Sequence, residues 1–361
     1  MSSLGWRQFV KFRLLLTEAI LALMAVGVGI LMGGVLVWIV GEDPVKAILI
    51  IFEGAFGTAY DLGMVLYFAT ILIATGLSVA IPSQTGNFNI GAEGQTLMGA
   101  LAAGVVGAYG PANLPHGTCL TLAILAALLA SGLWGAIAAA IRSYRGGHEV
   151  IASIMLNFIA AGVSGWLVVT YFQAPDSQNP ETITVPEVFQ LHRFDSFDGA
   201  PATMAIFIAL AFAFCFWLVL ERMRPGFVMK AVKQSPEAAI VAGYSPNKAM
   251  FWSFTIGSAM CGLAGAVMVL GESWRFRLEI SDGFGFLGIP VALLGRSRPL
   301  GVVLSAFLFA SLHHGSSLLD IESTKIGRDL AQVIEAIVVL SVVSMVPLLR
   351  FMTGKFSTRD R

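Results

Sequence analysis

The apolar runs of this 361-residue chain come too often and last too long for a soluble fold. A bilayer core asks for roughly 20 apolar residues per helix, and the sequence supplies about ten such stretches, some of them short. They fall near 14–40, 64–83, 90–110, 118–141, 149–172, 203–221, 249–271, 283–295, 299–317 and 328–349. Lipid offers no partner to a bare peptide group, so the spans satisfy their own backbones as helices. They are too uniformly apolar for barrel strands, which would alternate. Only 12% of residues are charged, against about 25% in an average soluble domain, and mean hydropathy is +0.80. A chain of this kind cannot cover itself in water, which excludes an ordinary globular enzyme and a disordered protein. Twenty-two Lys and Arg balance 22 Asp and Glu, so attraction to nucleic acid is not indicated. Cys119, Cys215 and Cys261 lie in separate apolar runs with no metal-ligand spacing and no even count, and read as core fillers.

Loops rich in Lys and Arg stay cytoplasmic. Arg7, Lys11 and Arg13 precede the first run, which exceeds a signal peptide's apolar region and is followed by no small-x-small cleavage site, so it is expected to remain as a span. With Arg350, Lys355, Arg359 and Arg361 at the other end, both termini are expected inside, and the number of crossings is even. Between Ala47 and Ile141 no Lys or Arg occurs, so Gly, Pro and Asn set the helix ends there. The loop 173–202 carries Asp176, Glu181, Glu187, Asp195 and Asp198 against Arg193 and is expected outside. The loop 222–248, with Arg222, Arg224, Lys230, Lys233 and Lys248, is expected inside. Arg275 and Arg277, and Lys325 and Arg328, then fall outside, each pair set among acids. Spans two to five and seven to ten run in opposite directions, and each half holds a segment broken by Gly and Pro: Ile81 to Gly94, and Gly283 to Pro290. Paired broken segments mark an inverted repeat with the solute path at its interface.

The run Ser83 to Gln95, holding Asn87, Asn89, Glu93 and Gln95, sits between two apolar spans. Amides and a carboxylate are expensive there. Two readings stand: these residues line or gate a path, or they form a turn whose Asn and Gly cap helices. Small residues recur at four-residue spacing in Gly99/Ala103/Gly107, Gly132/Ala136/Ala140 and Ser258/Gly262/Ala266, as close helix packing in lipid requires. His148-Glu149 opens no zinc motif, because Ala152 stands where the second His is needed, and His313-His314 has no partner at helical spacing. Glu93 and Glu335 are the acids placed inside spans. A proton-coupled secondary transporter would use them, although Glu335, one turn from Gln332, also reads as an interhelical hydrogen bond. No phosphate-binding GxxxxGK[ST] occurs, so an ATPase driving this chain would be another polypeptide. No catalytic constellation, metal set or cofactor motif is present. In the loop 222–248, Ser235 suits an N-cap, Pro236 the first turn, Glu237 the positive helix end, Ala238 and Ala239 the body and Gly243 the stop. A capped helix near 235–243, about two turns long and outside the membrane, reads as a docking element or a plain connector.

Gly86-Asn87-Phe88-Asn89-Ile90-Gly91-Ala92-Glu93-Gly94-Gln95 resembles the signature of permease subunits of ATP-binding-cassette importers for nucleosides and simple sugars, which are related to ribose and branched-chain amino-acid permeases. The stretch Gly147 to Ile159, the Ser235–Gly243 loop and Gly283 to Gly295 with Pro299-Leu300-Gly301 are similar to the same family, so the likeness covers nearly the whole chain. His148 departs from the family pattern, where Asn or another residue is expected in many relatives. The resemblance implies an all-α membrane protein, one permease domain over 1–361, of about ten helices with an inverted repeat like the vitamin B12 importer permease. It implies a multi-pass protein of the bacterial inner membrane, a second permease subunit, a cytoplasmic ATPase and an extracytoplasmic solute-binding protein. Asn87, Asn89, Glu93, Gln95 and Asn157 would border the translocation path. Ser235, Pro236, Glu237, Ala238, Ala239 and Gly243 would form the helix that couples to the ATPase.

Overall fold

A computed structural model describes residues 31–322 continuously, with scattered positions at 24, 27–29, 333, 336–337, 340–341 and 344. Among the described residues every regular element is a helix. In chain order these are α1 (Pro44–Phe56), α2 (Ala59–Ser83), α3 (Ala92–Tyr109), α4 (His116–Arg145), α5 (Glu149–Leu167), α6 (Ala205–Arg222), α7 (Arg224–Gln234), α8 (Pro236–Val241), α9 (Pro246–Val267), α10 (Phe284–Leu294) and α11 (Pro299–Glu322). Wide π turns, Val168–Phe172 and Met268–Ser273, prolong α5 and α9. Six of the resulting segments are long and apolar enough to cross a membrane, so the protein is multi-pass. Each stretch expected as a span from 64 to 317 is helical within a few residues, and six of those eight are long and apolar enough to cross. Of the expected first span, 31–40 is helical while 14–23 lies outside the described residues, as do Gln332, Glu335 and most of 328–349.

Two helices go beyond the sequence reading. Asp43 caps α1 by accepting from the Val45 amide at 2.8 Å, with Pro44 at the first position. Thirteen residues are too short to span, and the stretch lies between the expected spans 14–40 and 64–83. In the expected loop 222–248 a second helix, α7, opens with Pro225 in its first turn, where the missing N–H would be unpaired anyway.

The chain divides into two compact units. One joins Met1–Thr58 to Ser311–Arg361. Within it Val37, Ala47, Ile50 and Leu319 bury one another, and Gly54 lets α1 approach the Gly315 backbone. The other, Ala59–Ala310, holds the candidate site. There α9 packs on α2, α3 and α4 through small residues. An added Cβ at Gly262 would strike the Ala127 backbone, one at Gly265 the Ala100 backbone, and one at Gly135 the Ser258 side chain. Such close approach replaces the hydrophobic drive that lipid cannot supply between helices.

At one end of this unit, the loop 173–202 is a folded cap. Its apolar residues Val185, Phe189 and Leu191 are buried against the bundle end, and Leu191 N donates to Leu270 O, Val185 N to Trp274 O and Thr182 N to Phe276 O. Arg193 lies over the Trp274 ring at 4.5 Å while donating to the Gly271 and Glu272 carbonyls. Arg275 pairs with Glu181 at 2.8 Å, so one arginine of the 275/277 pair meets an acid of the opposite loop. The Ser177 hydroxyl, and after it the Arg275 guanidinium, hold the Glu181 carboxyl below the usual carboxylate range. At the other end lie the α4–α5 turn, where Arg142 meets Glu149 at 3.2 Å, the helices α7 and α8, and the turn 296–298.

Candidate functional site

Neither α3 nor α10 traverses the unit in the way α2 and α9 do. Leaving α2, the chain turns at Gly86, whose φ of 83° suits glycine, and α3 begins only at Ala92. From there α3 runs toward the cap, where Gly107 touches Val185 and Gly110 touches Phe189. The helix α10 starts beside the first turn of α3 but runs the opposite way, to the turn whose Ser297 carbonyl accepts from Gln84 Nε2 at 2.8 Å. Eleven residues of α10 measure about 16 Å, roughly half a bilayer core.

The two short helices meet at Glu93. Its Oε1 accepts from Ser281 Oγ at 2.5 Å and from Gly283 N at 3.2 Å, and its Oε2 accepts from Gly285 N at 2.9 Å. Glu93 also stands in the first turn of its own helix. One carboxylate therefore lies at the positive ends of two helix dipoles and takes up amides that α10 leaves unpaired. The geometry needs glycine twice. Gly283 caps α10 with φ of 80°, and a Cβ at Gly285 would collide with the Ala92 and Glu93 backbone. The turn entering α10 also places Glu279 and Asp282 at positive φ. Sequence reasoning singled out Glu93 but not Ser281; the signal was the Ser-Asp-Gly-Phe-Gly run at a helix start.

Around this joint the structure gathers the other amides, with unequal commitments. Asn89 and Gln95 form a reciprocal pair, Nδ2 to Oε1 at 2.9 Å and Nε2 to Oδ1 at 3.0 Å. Asn89 also donates to Ser78 O and accepts from Gly91 N, so its two protons and two lone pairs are all engaged. The Gln95 carbonyl accepts from Ser131 Oγ at 2.6 Å, which ties α3 to α4. Asn157 on α5 accepts from Gly94 N at 2.9 Å and donates to Ile90 O at 3.0 Å. Asn87 differs: its Nδ2 donates to Thr85 Oγ1, while Oδ1 is buried with no hydrogen-bond partner.

The residues 235–243 form a separate surface knob. Ser235 Oγ accepts from Ala238 N at 3.1 Å, Pro236 opens α8, and Gly243, with φ of 81°, ends the turn. The helix is shorter than expected at six residues. Glu237 and Ala238 are exposed, but Ala239 is buried and its carbonyl accepts from Tyr244 N. Ala239 thus fastens the knob instead of presenting surface. Sequence reasoning missed the two most prominent apolar side chains, Ile240 at 61% and Val241 at 90% exposure. Their signal was an aliphatic pair between a helix body and a glycine stop.

Among the described residues no three of His, Cys, Asp and Glu come together in a group that could hold a metal. A family model described as branched-chain amino acid transport system / permease component matches residues 61–343. The chain belongs to that family. A guanosine ABC transporter permease of Bacillus subtilis is 33% identical over 95% of this permease and 98% of its own length. A glucose ABC transporter permease of Haloferax volcanii is 31% identical over 89% of this permease and 86% of its own length. A nucleoside ABC transporter permease of Lactococcus lactis is 28% identical over 83% and 84% of the two chains. No solved structure matches. The permease is a transporter subunit of the ATP-binding-cassette class and not an enzyme.

Proposed function

We propose that this permease passes a nucleoside or a simple sugar through the bacterial inner membrane, with a cytoplasmic ATPase as its motor and an extracytoplasmic binding protein as its supplier. The observation that carries the reading is the Glu93 joint, from which α3 and α10 diverge to opposite ends of the bundle. Discontinuous helices meeting in mid-bundle are how transporters build a solute path that opens alternately to either side. The joint also supports the inverted repeat and, with the apolar runs 14–40 and 328–349 of the sequence, a ten-helix bundle like the vitamin B12 importer permease. The guanosine and glucose relatives support the cargo class. Bacillus subtilis and Lactococcus lactis each contribute two similar permeases, which supports a heterodimeric pair.

In this reading Asn89 and Gln95 brace the path wall, Glu93 joins its two halves, Asn157 holds α5 to the start of α3, and Asn87 carries spare hydrogen-bonding capacity. The knob at 235–243 seats in the ATPase, and Ile240, Val241 and Glu237 are its contact residues. Both termini lie in the cytoplasm. ATP binding moves the knob and biases the bundle between outward- and inward-facing states.

Reconstitution tests this. The permease alone in vesicles should move no radiolabelled guanosine or glucose, with or without a proton gradient. Adding the ATPase, the second permease and the binding protein should give ATP-dependent uptake of one of them. Gradient-driven uptake by the lone chain overturns the reading in favour of a secondary transporter.

A further inference from the structure

We propose that an anionic phospholipid of the cytoplasmic leaflet seats in a groove formed by α6, α7 and the start of α9, and that it bears directly on the coupling knob. This rests on the cytoplasmic placement of 222–248 proposed above.

The groove has a volume of about 680 Å³. Its walls are apolar, with Phe216 from α6, Met229 from α7 and Ile256 from α9. The rim is not. Arg224 and Lys248 both line it, both are exposed, and neither side chain has an ion-pair partner among the described residues. Lys230, close by in sequence, is by contrast held by Glu221 at 3.0 Å and by the Leu220 carbonyl. The first residues of α7 and the N-cap of α9, Ser245, also border the groove, so two positive helix ends add to the two cations. Tyr244 and Trp252 complete the rim, the residue types that settle at a membrane–water boundary.

An apolar floor under a cationic rim, in a membrane protein, fits an acyl chain below and a phosphate above. A purely polar anion would leave the floor uncovered, and a neutral apolar molecule would leave both cations without a counter-charge. The negatively charged cytoplasmic leaflet supplies a ligand with both features. Gly243, Tyr244 and Ser245 link α8 to α9 and line the groove, so an occupying lipid touches the base of the knob.

Native mass spectrometry of the purified full-length chain tests the proposal, using equal phosphatidylglycerol and phosphatidylcholine with matched acyl chains. Wild type should retain phosphatidylglycerol in preference by roughly 25-fold, since each of the two interfacial cations is worth about a factor of five. Arg224→Gln with Lys248→Gln should bring the two lipids near parity. Arg222→Gln with Lys233→Gln, which removes equal charge away from the groove, should leave the preference intact. Ala249→Trp, which fills the groove and spares the cations, should lower retention of both lipids. The proposal is overturned by the absence of a wild-type preference, by a preference that survives loss of Arg224 and Lys248, or by a filled groove that retains lipid as before. No ATPase or solute enters this measurement, so its failure leaves the transport reading standing, and failed uptake leaves the lipid result standing.

Discussion

Asn87 and Asn89 stand two residues apart in one broken segment, and their hydrogen bonds set them different tasks. Asn89 has no capacity left, so Asn89→Leu strands the Gln95 amide, Ser78 O and Gly91 N in a dry interior. Each stranded buried group costs about 1–3 kcal/mol. The expected outcome is a clearly lower thermal unfolding temperature of the purified chain, along with reduced uptake. Asn87→Leu removes an acceptor that has no partner in this conformation and a donor to Thr85 Oγ1, a hydroxyl that keeps Pro82 O and Ser253 Oγ as partners. It should leave the melting temperature within a degree or two while lowering uptake, and equal destabilisation by both variants would refute the distinction. At Glu93, replacement by Gln turns one acceptor oxygen into a donor facing amides that also donate. Stability should fall by about 1.5–3 kcal/mol, since hydrogen bonds to a charged group lie in that range. Glu93→Asp should recover less than full uptake because the shorter side chain cannot reach both Gly283 and Gly285.

At the scale of elements, the knob separates residues that hold it from residues it offers. Val241→Glu with Ile240→Asp alters exposed side chains and should leave the chain folded, with an unchanged elution profile, while ATPase co-purification is lost. Ala239→Glu buries a charge under the knob and should disturb that loop's proteolytic protection first. In the cap, Glu181 is held below its ordinary range, so it stabilises the native loop above about pH 4.3, its value in an unfolded chain. That contribution is lost as pH falls through the lowered folded value. Protection of 173–202 in hydrogen exchange should be flat from pH 8 to 5 and drop in more acid solution, with Glu181→Gln removing the drop. The knob was legible beforehand because caps are local: Ser235, Pro236 and Gly243 speak for themselves. The cap was not, because acidic residues marked the loop as wet while Val185 and Leu191, which tie it down, find their backbone partners Trp274 and Leu270 roughly eighty to ninety residues away.

For the whole molecule, bilayer thickness, loop charge and, between 47 and 141, the Gly, Pro and Asn breaks were enough to place the long helices, because all three act regardless of tertiary contacts. They could not reveal that α3 and α10 share a carboxylate, which depends on a tertiary meeting of residues 93 and 281–285. Sidedness itself is open to a direct check. In a Cys215→Ser background, Glu237→Cys should react with a membrane-impermeant maleimide only in inside-out vesicles, and Ser196→Cys only in right-side-out ones. The reverse pattern would invert the topology.

The shared carboxylate has a mechanical corollary. If either short helix tilts away on its own, it bares an anion to oil, at a cost of several kcal/mol. Rocking of one is thereby yoked to rocking of the other, and the bundle has a fulcrum at its waist, so that a shove at the Ser297 tip must be answered at the Tyr109 tip.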